Sequence, residues 1–132
     1  MKGKHQSSQE EVLELGEYTF EILKVRDAKT KEGLPKAIID LIVLGGPAKG
    51  KKLTHSVTFF PPHSPYGWIT DAFLYAMGEE KDAETGEYSY DTDAWEGKKF
   101  LAASEPREYN GKMQNNVRRV RPAEAIQQEA PF

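Results

Sequence analysis

A stretch rich in glycine and lysine, Gly45-Gly46-Pro47-Ala48-Lys49-Gly50-Lys51-Lys52, is the part of the sequence closest to an enzymatic motif. It has the spacing of a phosphate-binding loop, a glycine, four further residues and then Gly-Lys. The next position is Lys52, where a serine or threonine would be needed to hold Mg²⁺. The alternating residues 53–60 also predict a strand, whereas a phosphate-binding loop needs a helix there. We therefore predict a turn between two strands and no nucleotide hydrolysis.

The other residues that could do chemistry do not gather into a catalytic or metal-binding pattern. The three histidines, His5, His55 and His63, share no helix face and lack the spacing of a zinc site. His55 alternates with apolar residues of a predicted strand, so we expect its side chain to point inward. Asp91-Thr92-Asp93 lacks the central glycine and terminal glutamate of a calcium loop, and the chain has no cysteine. We expect no enzymatic activity and no cofactor.

The most basic part of the chain has the pattern of a β-hairpin. Two runs of strand character, Gly97–Arg107 and Lys112–Arg121, are joined by Tyr109-Asn110-Gly111-Lys112. Asn-Gly between such runs predicts a type I′ turn. The formal net charge of the whole chain is -3, so an anionic partner must meet a local basic patch. In this hairpin only Glu105 and Glu108 oppose the cations Lys98, Lys99, Arg107, Lys112, Arg118, Arg119 and Arg121.

Three strands are predicted ahead of the hairpin. Gly16–Ile22 alternates apolar and polar residues, and the alternation then slips by one residue, which indicates a bulge or bend in a long first strand. Ala37–Leu44 is apolar on both faces except at Asp40, as expected for a central, covered strand. Residues 53–60 alternate again, and Pro61-Pro62 ends this third strand.

One helix is predicted between the third and fourth strands. Ser64 and Pro65 suit its N-cap and first helical position, and Gly78 suits a left-handed C-terminal cap. An acidic stretch, Glu79–Glu96, follows and is predicted to be a long loop. The predicted inward face of the helix consists of Ile69, Ala72, Phe73, Ala76 and Met77.

The predicted order of elements is β-β-β-α-β-β with a bent first strand, which is the order expected of the OB-fold, a small five-stranded barrel. The predicted fold class is therefore all-β, a β-barrel with one helix. We divide the chain into a flexible N-terminal arm (1–15), an OB-fold domain (16–121) and a flexible C-terminal tail (122–132). An SH3-like barrel and an α+β sheet with one covering helix are the alternatives.

Binding residues can be predicted from this fold. An OB-fold binds its ligand across strands two and three, between the loops after strands one and four, which here are Arg26–Lys36 and Arg107–Lys112. Single-strand binders combine cations for phosphates with exposed aromatic rings for bases. Tyr90 and Trp95 are less suited, because their acidic loop repels phosphate. The predicted nucleic-acid-binding residues are Arg26, Lys29, Lys31, Lys36, Lys51, Lys52, Phe60, Tyr109, Lys112, Arg118, Arg119 and Arg121.

The last residues, Glu129-Ala130-Pro131-Phe132, indicate a second and separate contact. A terminal aromatic residue after a proline suits an apolar pocket with a basic rim on a partner. This segment resembles the C-terminal tip of bacterial single-stranded DNA-binding proteins, which ends in acidic residues and then Pro-Phe. We therefore predict Pro131 and Phe132 as partner-binding residues, with replication or recombination proteins as candidate partners.

Several short segments also occur in a recognisable order between Gly16 and Arg121. They are Gly16-Glu17-Tyr18, Lys31-Glu32-Gly33, Gly50-Lys51-Lys52-Leu53, Ala72-Phe73-Leu74 with Met77-Gly78, Trp95-Glu96-Gly97-Lys98 and Tyr109-Asn110-Gly111-Lys112. In this order and spacing they resemble a phage and prophage family catalogued as domain of unknown function 669. The resemblance implies OB-fold proteins that bind single-stranded DNA beside recombination and replication functions.

The sequence as a whole predicts a non-catalytic single-stranded DNA-binding protein of phage type that acts in DNA replication, recombination or repair. No apolar run approaches the roughly 18–20 residues that span a bilayer, and the N-terminus does not have the pattern of a signal peptide. We therefore expect no membrane contact and a cytoplasmic location, in the host cytoplasm if the chain is phage-encoded. The alternative is a protein-interaction module, a recombination mediator or host-factor inhibitor, acting through the acidic stretch or the tail.

Overall fold

The computed structural model describes residues 11–61 and 63–123. This part of the chain is mostly β-structure with one α-helix. Two helical elements lie between the third and fourth strands. In chain order the elements are β1 (Gly16–Lys29), β2 (Pro35–Val43), β3 (Lys52–Thr58), α1 (Gly67–Ala76), a 3₁₀ turn (Thr92–Trp95), β4 (Lys99–Tyr109) and β5 (Lys112–Pro122).

The five strands form one antiparallel sheet in the order β3-β2-β1-β4-β5. The fourth strand returns beside the first after three consecutive strands, which is a Greek-key arrangement. Among the described residues, no hydrogen-bonded ladder joins the two edge strands, β3 and β5. The predicted closed barrel is therefore wrong in this respect, because the sheet stays open along that seam.

Other segments occupy the seam between β3 and β5. α1 contacts both edge strands. The Glu11 N–H donates to the carbonyl of Lys52 on β3 (3.2 Å), and the Leu13 N–H donates to Oδ1 of Asn115 on β5 (2.7 Å). Asn115 Nδ2 in turn donates to the Glu11 carbonyl (2.8 Å). Residues 11–13 thus bridge the two edges, and on β3 they pair the Lys52 carbonyl, a backbone group that a direct ladder would otherwise have to pair.

The segment predicted as an N-terminal arm therefore contributes to the fold. The Leu13 side chain is 1% exposed and belongs to the core, whereas Leu15 is 73% exposed. A single buried leucine in a polar stretch has no periodicity, so the sequence pattern could not reveal it. Residues 1–10 of the predicted arm and residues 124–132 of the predicted tail lie outside the described residues.

The predicted bulge in the first strand is confirmed. The ladder between β1 and β2 shifts register between Ile22 and Lys24, which leaves Leu23 as the extra residue. Because side chains alternate between the two faces, the shift moves the inward position from Ile22 to Val25. Lys24 and Arg26 consequently lie on the side of the sheet that faces away from the core.

The predicted hairpin is also confirmed, with β4 and β5 paired from Phe100 and Pro122 to Tyr109 and Lys112. Its turn has φ of 50° at Asn110 and 77° at Gly111, and a type I′ turn needs positive φ at both positions. Local sequence therefore determined this element, because few residue pairs adopt such a turn.

The helix begins later than predicted. Ser64 and Pro65 lie in a turn in which the Gly67 N–H donates to the Ser64 carbonyl (3.1 Å), and the Ser64 hydroxyl accepts from the Tyr66 N–H (3.1 Å). Tyr66 is the N-cap and has no side-chain capping bond. The serine thus caps the turn instead of the helix.

The C-terminal cap of α1 is as predicted. Gly78 has φ of 81°, its N–H donates to the Tyr75 carbonyl, and the Glu79 N–H donates to the Leu74 carbonyl (both 3.0 Å). These two bonds are those of a Schellman motif, which favours glycine because of the left-handed conformation.

The face of α1 that packs on the sheet differs from the prediction. Phe73 and Met77 are buried as expected, but Thr70 and Leu74 complete the inward stripe, and Ile69 is 41% exposed. The Thr70 hydroxyl donates to the Thr58 carbonyl (2.9 Å). This bond fixes the rotation of the helix and leaves its other face, with Ile69, open to solvent.

The acidic stretch 79–96 also contributes to the core. Trp95 is completely buried, with its ring 5.3 Å from Phe73 and 6.1 Å from Phe59. Tyr90 stacks on Phe59 at 4.5 Å. Two aromatic side chains thus attach this acidic stretch, which was predicted only as a long loop, to the core.

Candidate nucleic-acid interface

The side of β1, β2 and β3 that faces away from the core, which we call the outer face, carries four cations and three carboxylates. Paired residues of adjacent antiparallel strands share a face, so the register determines its composition. Its residues are Glu17, Thr19, Glu21, Lys24, Arg26 and Ala28 on β1, Lys36, Ile38, Asp40 and Ile42 on β2, and Lys52, Thr54, Ser56 and Thr58 on β3.

Asp40 lies among these cations and neutralises one of them. Arg26 forms an ion pair with Asp40, with 3.1 Å between Nη2 and Oδ1, and their side chains are 51% and 35% exposed. The Thr54 hydroxyl also donates to Asp40 Oδ1 (3.3 Å). The ion pair with Asp40 therefore orients the Arg26 side chain. It also weakens the attraction of the guanidinium for a phosphate.

The loop between β1 and β2 adds further cations at one end of the outer face. Thr30 closes this loop, because its N–H donates to the Leu34 carbonyl (2.8 Å) and its carbonyl accepts from the Gly33 N–H (2.9 Å). The predicted residues Lys29 and Lys31 are exposed at this loop, and Lys36 is half-buried at the start of β2. These three predicted residues therefore lie near Arg26.

The lysines of the glycine-rich stretch lie at the opposite end of β2. The stretch forms the turn between β2 and β3, with the Gly50 N–H donating to the Val43 carbonyl (2.9 Å). β3 begins at Lys52, so the predicted turn is confirmed and no helix follows it. Lys51 and Lys52 are exposed, and the Lys52 N–H donates to a carboxylate oxygen of Glu11 (3.0 Å).

The arginines of β5 do not join this surface. Arg118 is level with Glu17 at the start of β1, and Arg26 lies nine residues further along the same strand, about 30 Å away at 3.3 Å per residue. Arg118 pairs with Glu105 (3.4 Å) and Arg121 with Glu17 (2.6 Å). The predicted binding residues therefore do not form one continuous surface, because these arginines and Arg26 lie at opposite ends of β1.

Arg119 has a backbone conformation that is unusual for its residue type. It lies where the β4–β5 register shifts, and its φ is 56°. The left-handed conformation at a non-glycine residue lowers stability by about 1–2 kcal/mol. The Arg119 side chain is exposed. Two further predicted residues lie at the hairpin tip, and both are exposed: Tyr109, at 64%, and Lys112.

Phe60 was predicted to stack on bases, but it lies beyond the end of β3 and away from the cationic outer face. Its N–H donates to the Thr70 hydroxyl (2.9 Å), and its ring is 5.5 Å from that of Tyr66. Phe60 lines a cleft of about 540 Å³ between β3, α1 and the acidic stretch. We call this cleft the aromatic cleft. Its walls include Phe60, Trp68, Asp71, Glu87, Tyr88 and Tyr90.

His55 faces inward on β3, as its alternation predicted. It pairs with the buried Ile39, and its ring is 6.1 Å from that of Phe73. Burial lowers the pKa of His55 from 6.5 to about 4, so the imidazole is neutral at neutral pH. Among the described residues, no group of three His, Asp or Glu side chains is arranged to hold a metal ion.

Sequence reasoning missed two features of this surface. Lys24 was not predicted, although its place after the bulge puts it beside Asp40 on the outer face. The ion pairs that Arg26, Arg118 and Arg121 make were also missed, because they join residues far apart in sequence. The predicted partner-binding residues Pro131 and Phe132 lie outside the described residues.

The fold and the site together define a mostly β protein with one open antiparallel sheet and a cationic outer face. Residues 2–131 match the family described as "Protein of unknown function (DUF669)", and the chain belongs to this family. Its resemblance to that family is thus confirmed. No curated protein matches the chain. The described residues contain no helix of the length and apolarity needed to cross a membrane.

Proposed function

We propose that the open sheet is an OB-fold of the partly open kind. An OB-fold is a five-stranded, partly open Greek-key barrel. Three observations support this interpretation: the Greek-key order of the sheet, the approach of β3 and β5 to within 8 Å between Cα atoms, and the contacts of α1 with both edges. Direct pairing of β3 with β5 would complete the barrel.

We further propose that the chain is a non-catalytic single-stranded DNA-binding protein whose ligand lies along the outer face. The observation that carries this proposal is the set of cations on three adjacent strands and their loops, opposed on the outer face by Glu17, Glu21 and Asp40. Phosphates of a single strand follow such a surface, and counterion release favours their binding.

The composition of the outer face indicates how the strand would be recognised. Its cations include Lys24, Arg26, Lys36 and Lys52, while Ile38 and Ile42 supply apolar surface between them. The outer-face residues of β1–β3 described above include no aromatic side chain. We therefore expect binding that depends on the phosphate backbone and discriminates little between bases.

A protein of this kind would protect single strands during DNA replication or recombination. The proposed contact of Pro131 and Phe132 with a replication or recombination partner would add recruitment to this protection. The phage origin implied by the resemblance fits this role and remains part of the proposal.

Salt-dependent binding to a labelled oligo-dT, followed by fluorescence anisotropy, tests the proposal. Each phosphate neutralised on a single strand contributes about −0.7 to the slope of log K against log salt. If Lys24, Lys36 and Lys52, the outer-face cations for which the described residues show no ion pair, each meet a phosphate, the slope is about −2. Affinity that does not change with salt, or equal affinity for duplex of the same length, would contradict the proposal.

A further inference from the structure

The aromatic cleft has exposed apolar walls that the proposed DNA site does not use. Trp68 is 68% exposed and Tyr90 42% exposed, and Phe60, two residues after the end of β3, lines the same cleft. Large exposed aromatic side chains that line a concave surface are typical of binding sites. The outer face of the sheet carries the cations, so the two surfaces differ in chemistry.

Two of the three charged side chains on the walls of the aromatic cleft are carboxylates, and the third is Lys81. Asp71 and Glu87 lie on its walls and are exposed, and within the described part of the chain neither carboxylate forms an ion pair. The acidic stretch that forms one wall adds Asp82 and Glu84 close to Glu87 in sequence. A phosphate would be repelled at this position, whereas a cation would be attracted.

Two observations in the cleft agree with a negative electrostatic potential. Lys81 already holds a cation over one wall, with its Nζ 5.9 Å from the centre of the Tyr88 ring, a cation–π distance. Burial, and then the negative charge of Asp71, raise the pKa of the Tyr88 hydroxyl. The cleft thus favours positive charge next to an aromatic face.

We propose that the aromatic cleft binds an extended segment of a partner protein that contains arginine and proline. An arginine guanidinium stacks on aromatic rings and forms bidentate pairs with carboxylates, and the walls of the cleft offer the exposed ring of Trp68 together with the carboxylates of Asp71 and Glu87. Proline-containing extended segments bind in grooves lined by aromatic residues. This site is separate from the proposed DNA site and does not depend on it.

Trp68 provides a direct readout, because it is exposed in the cleft while Trp95 is buried in the core. A synthetic twelve-residue peptide of alternating arginine and proline is titrated into the full chain, with Trp fluorescence and calorimetry as readouts. We expect the peptide to change the fluorescence of Trp68 and to bind more weakly as salt is added. Trp68→Phe should remove the fluorescence change.

Matched variants separate the cleft from general charge effects. Asp71→Asn and Glu87→Gln should each weaken peptide binding several-fold, and Trp68→Ala by more than tenfold. The controls are Glu108→Gln, the same charge change on the β4–β5 hairpin, and Tyr109→Ala, an aromatic residue at the tip of that hairpin that is 64% exposed and lies outside the cleft walls. These controls should bind the peptide within twofold of the unchanged chain.

Three results would overturn this proposal. The first is equal weakening by the cleft variants and their controls, which would indicate attraction by net charge alone. The second is no binding of the arginine-proline peptide. The third is that oligo-dT binds more tightly than the peptide and itself quenches the fluorescence of Trp68. That result would make the cleft a site for nucleobases. None of these depends on whether DNA binds to the outer face.

Discussion

Replacing Asp40 with asparagine should strengthen single-stranded DNA binding if the strand lies on the outer face. Asp40 is the carboxylate that pairs with Arg26 at 3.1 Å, and its removal frees that guanidinium for a phosphate. Asparagine keeps an oxygen that can accept the bond from Thr54, so the local structure should persist. The exposed ion pair itself contributes at most about 1 kcal/mol to stability.

The size of the effect follows from counterion release. One additional phosphate contact changes the slope of log K against log salt by about −0.7. Between a 1 M reference and 0.15 M salt this amounts to about a fourfold gain in affinity, or about 0.8 kcal/mol. Anisotropy titrations of labelled oligo-dT at several salt concentrations measure both the gain and the steeper slope.

Glu105→Gln is the matched control, because it removes the same charge and frees Arg118 from its pair (3.4 Å) on the β4–β5 hairpin. If DNA follows the outer face of β1–β3, this variant should bind oligo-dT with nearly unchanged affinity. Equal gains from both variants would mean that only net charge matters. A gain from Glu105→Gln alone would move the DNA to the hairpin and refute the reasoning.

Three further predictions concern stability. Leu13→Ala should lower the free energy of unfolding by about 2–5 kcal/mol, since Leu13 is 1% exposed, whereas Leu15→Ala, at a residue 73% exposed, should change it little; urea denaturation compares them. His55, whose folded-state pKa of about 4 lies below its usual 6.5, stays neutral in the native state while the unfolded chain binds a proton. Stability should therefore fall as pH drops from 6.5 to 4, by up to about 3 kcal/mol, and His55→Phe should reduce this dependence. Arg119→Gly should be more stable than Arg119→Ala by about 1 kcal/mol, because φ at this position is 56° and alanine keeps the strain.

Each of these predictions has a result that contradicts it. Equal losses from the two leucine variants would mean that residues 11–15 are not packed on the sheet. A stability profile unchanged by His55→Phe would assign the acid sensitivity to other groups. An alanine variant as stable as the glycine variant would remove the argument for strain at Arg119.

The elements that the sequence predicted well are those fixed by local chemistry. Asn110 and Gly111 specify a type I′ turn by their tolerance of positive φ, and Gly78 specifies the helix cap in the same way. The bulge at Leu23 was visible because the alternation of apolar residues slips there. In each case a few neighbouring residues determine the conformation.

The features that the sequence did not predict depend on contacts between distant segments. Leu13 and Trp95 are buried only because the sheet and α1 form surfaces that receive them. The rotation of α1 follows from the bond between Thr70 and Thr58, which outweighs the small difference between Ile69 and Leu74 as apolar residues. Periodicity within one segment carries no information on such contacts.

The candidate site was predicted in part for the same reason. The loop cations Lys29, Lys31 and Lys36 lie near Arg26, as expected from the order of the strands. The basic residues of β5 were grouped with them on charge alone, and the register places Arg118 beside Glu105 at the other end of β1. Net charge in a segment says nothing about the partners that the fold supplies.

The most direct test of the central claim is an NMR titration of the labelled chain with oligo-dT, in which amide shifts report the position of the strand. If the strand lies on the outer face, we expect the largest shifts there, at Ile38–Ile42 and Thr54–Thr58, together with the loop at residues 30–34. Shifts confined to the β4–β5 hairpin or to the aromatic cleft, or no shifts at low salt, would contradict it.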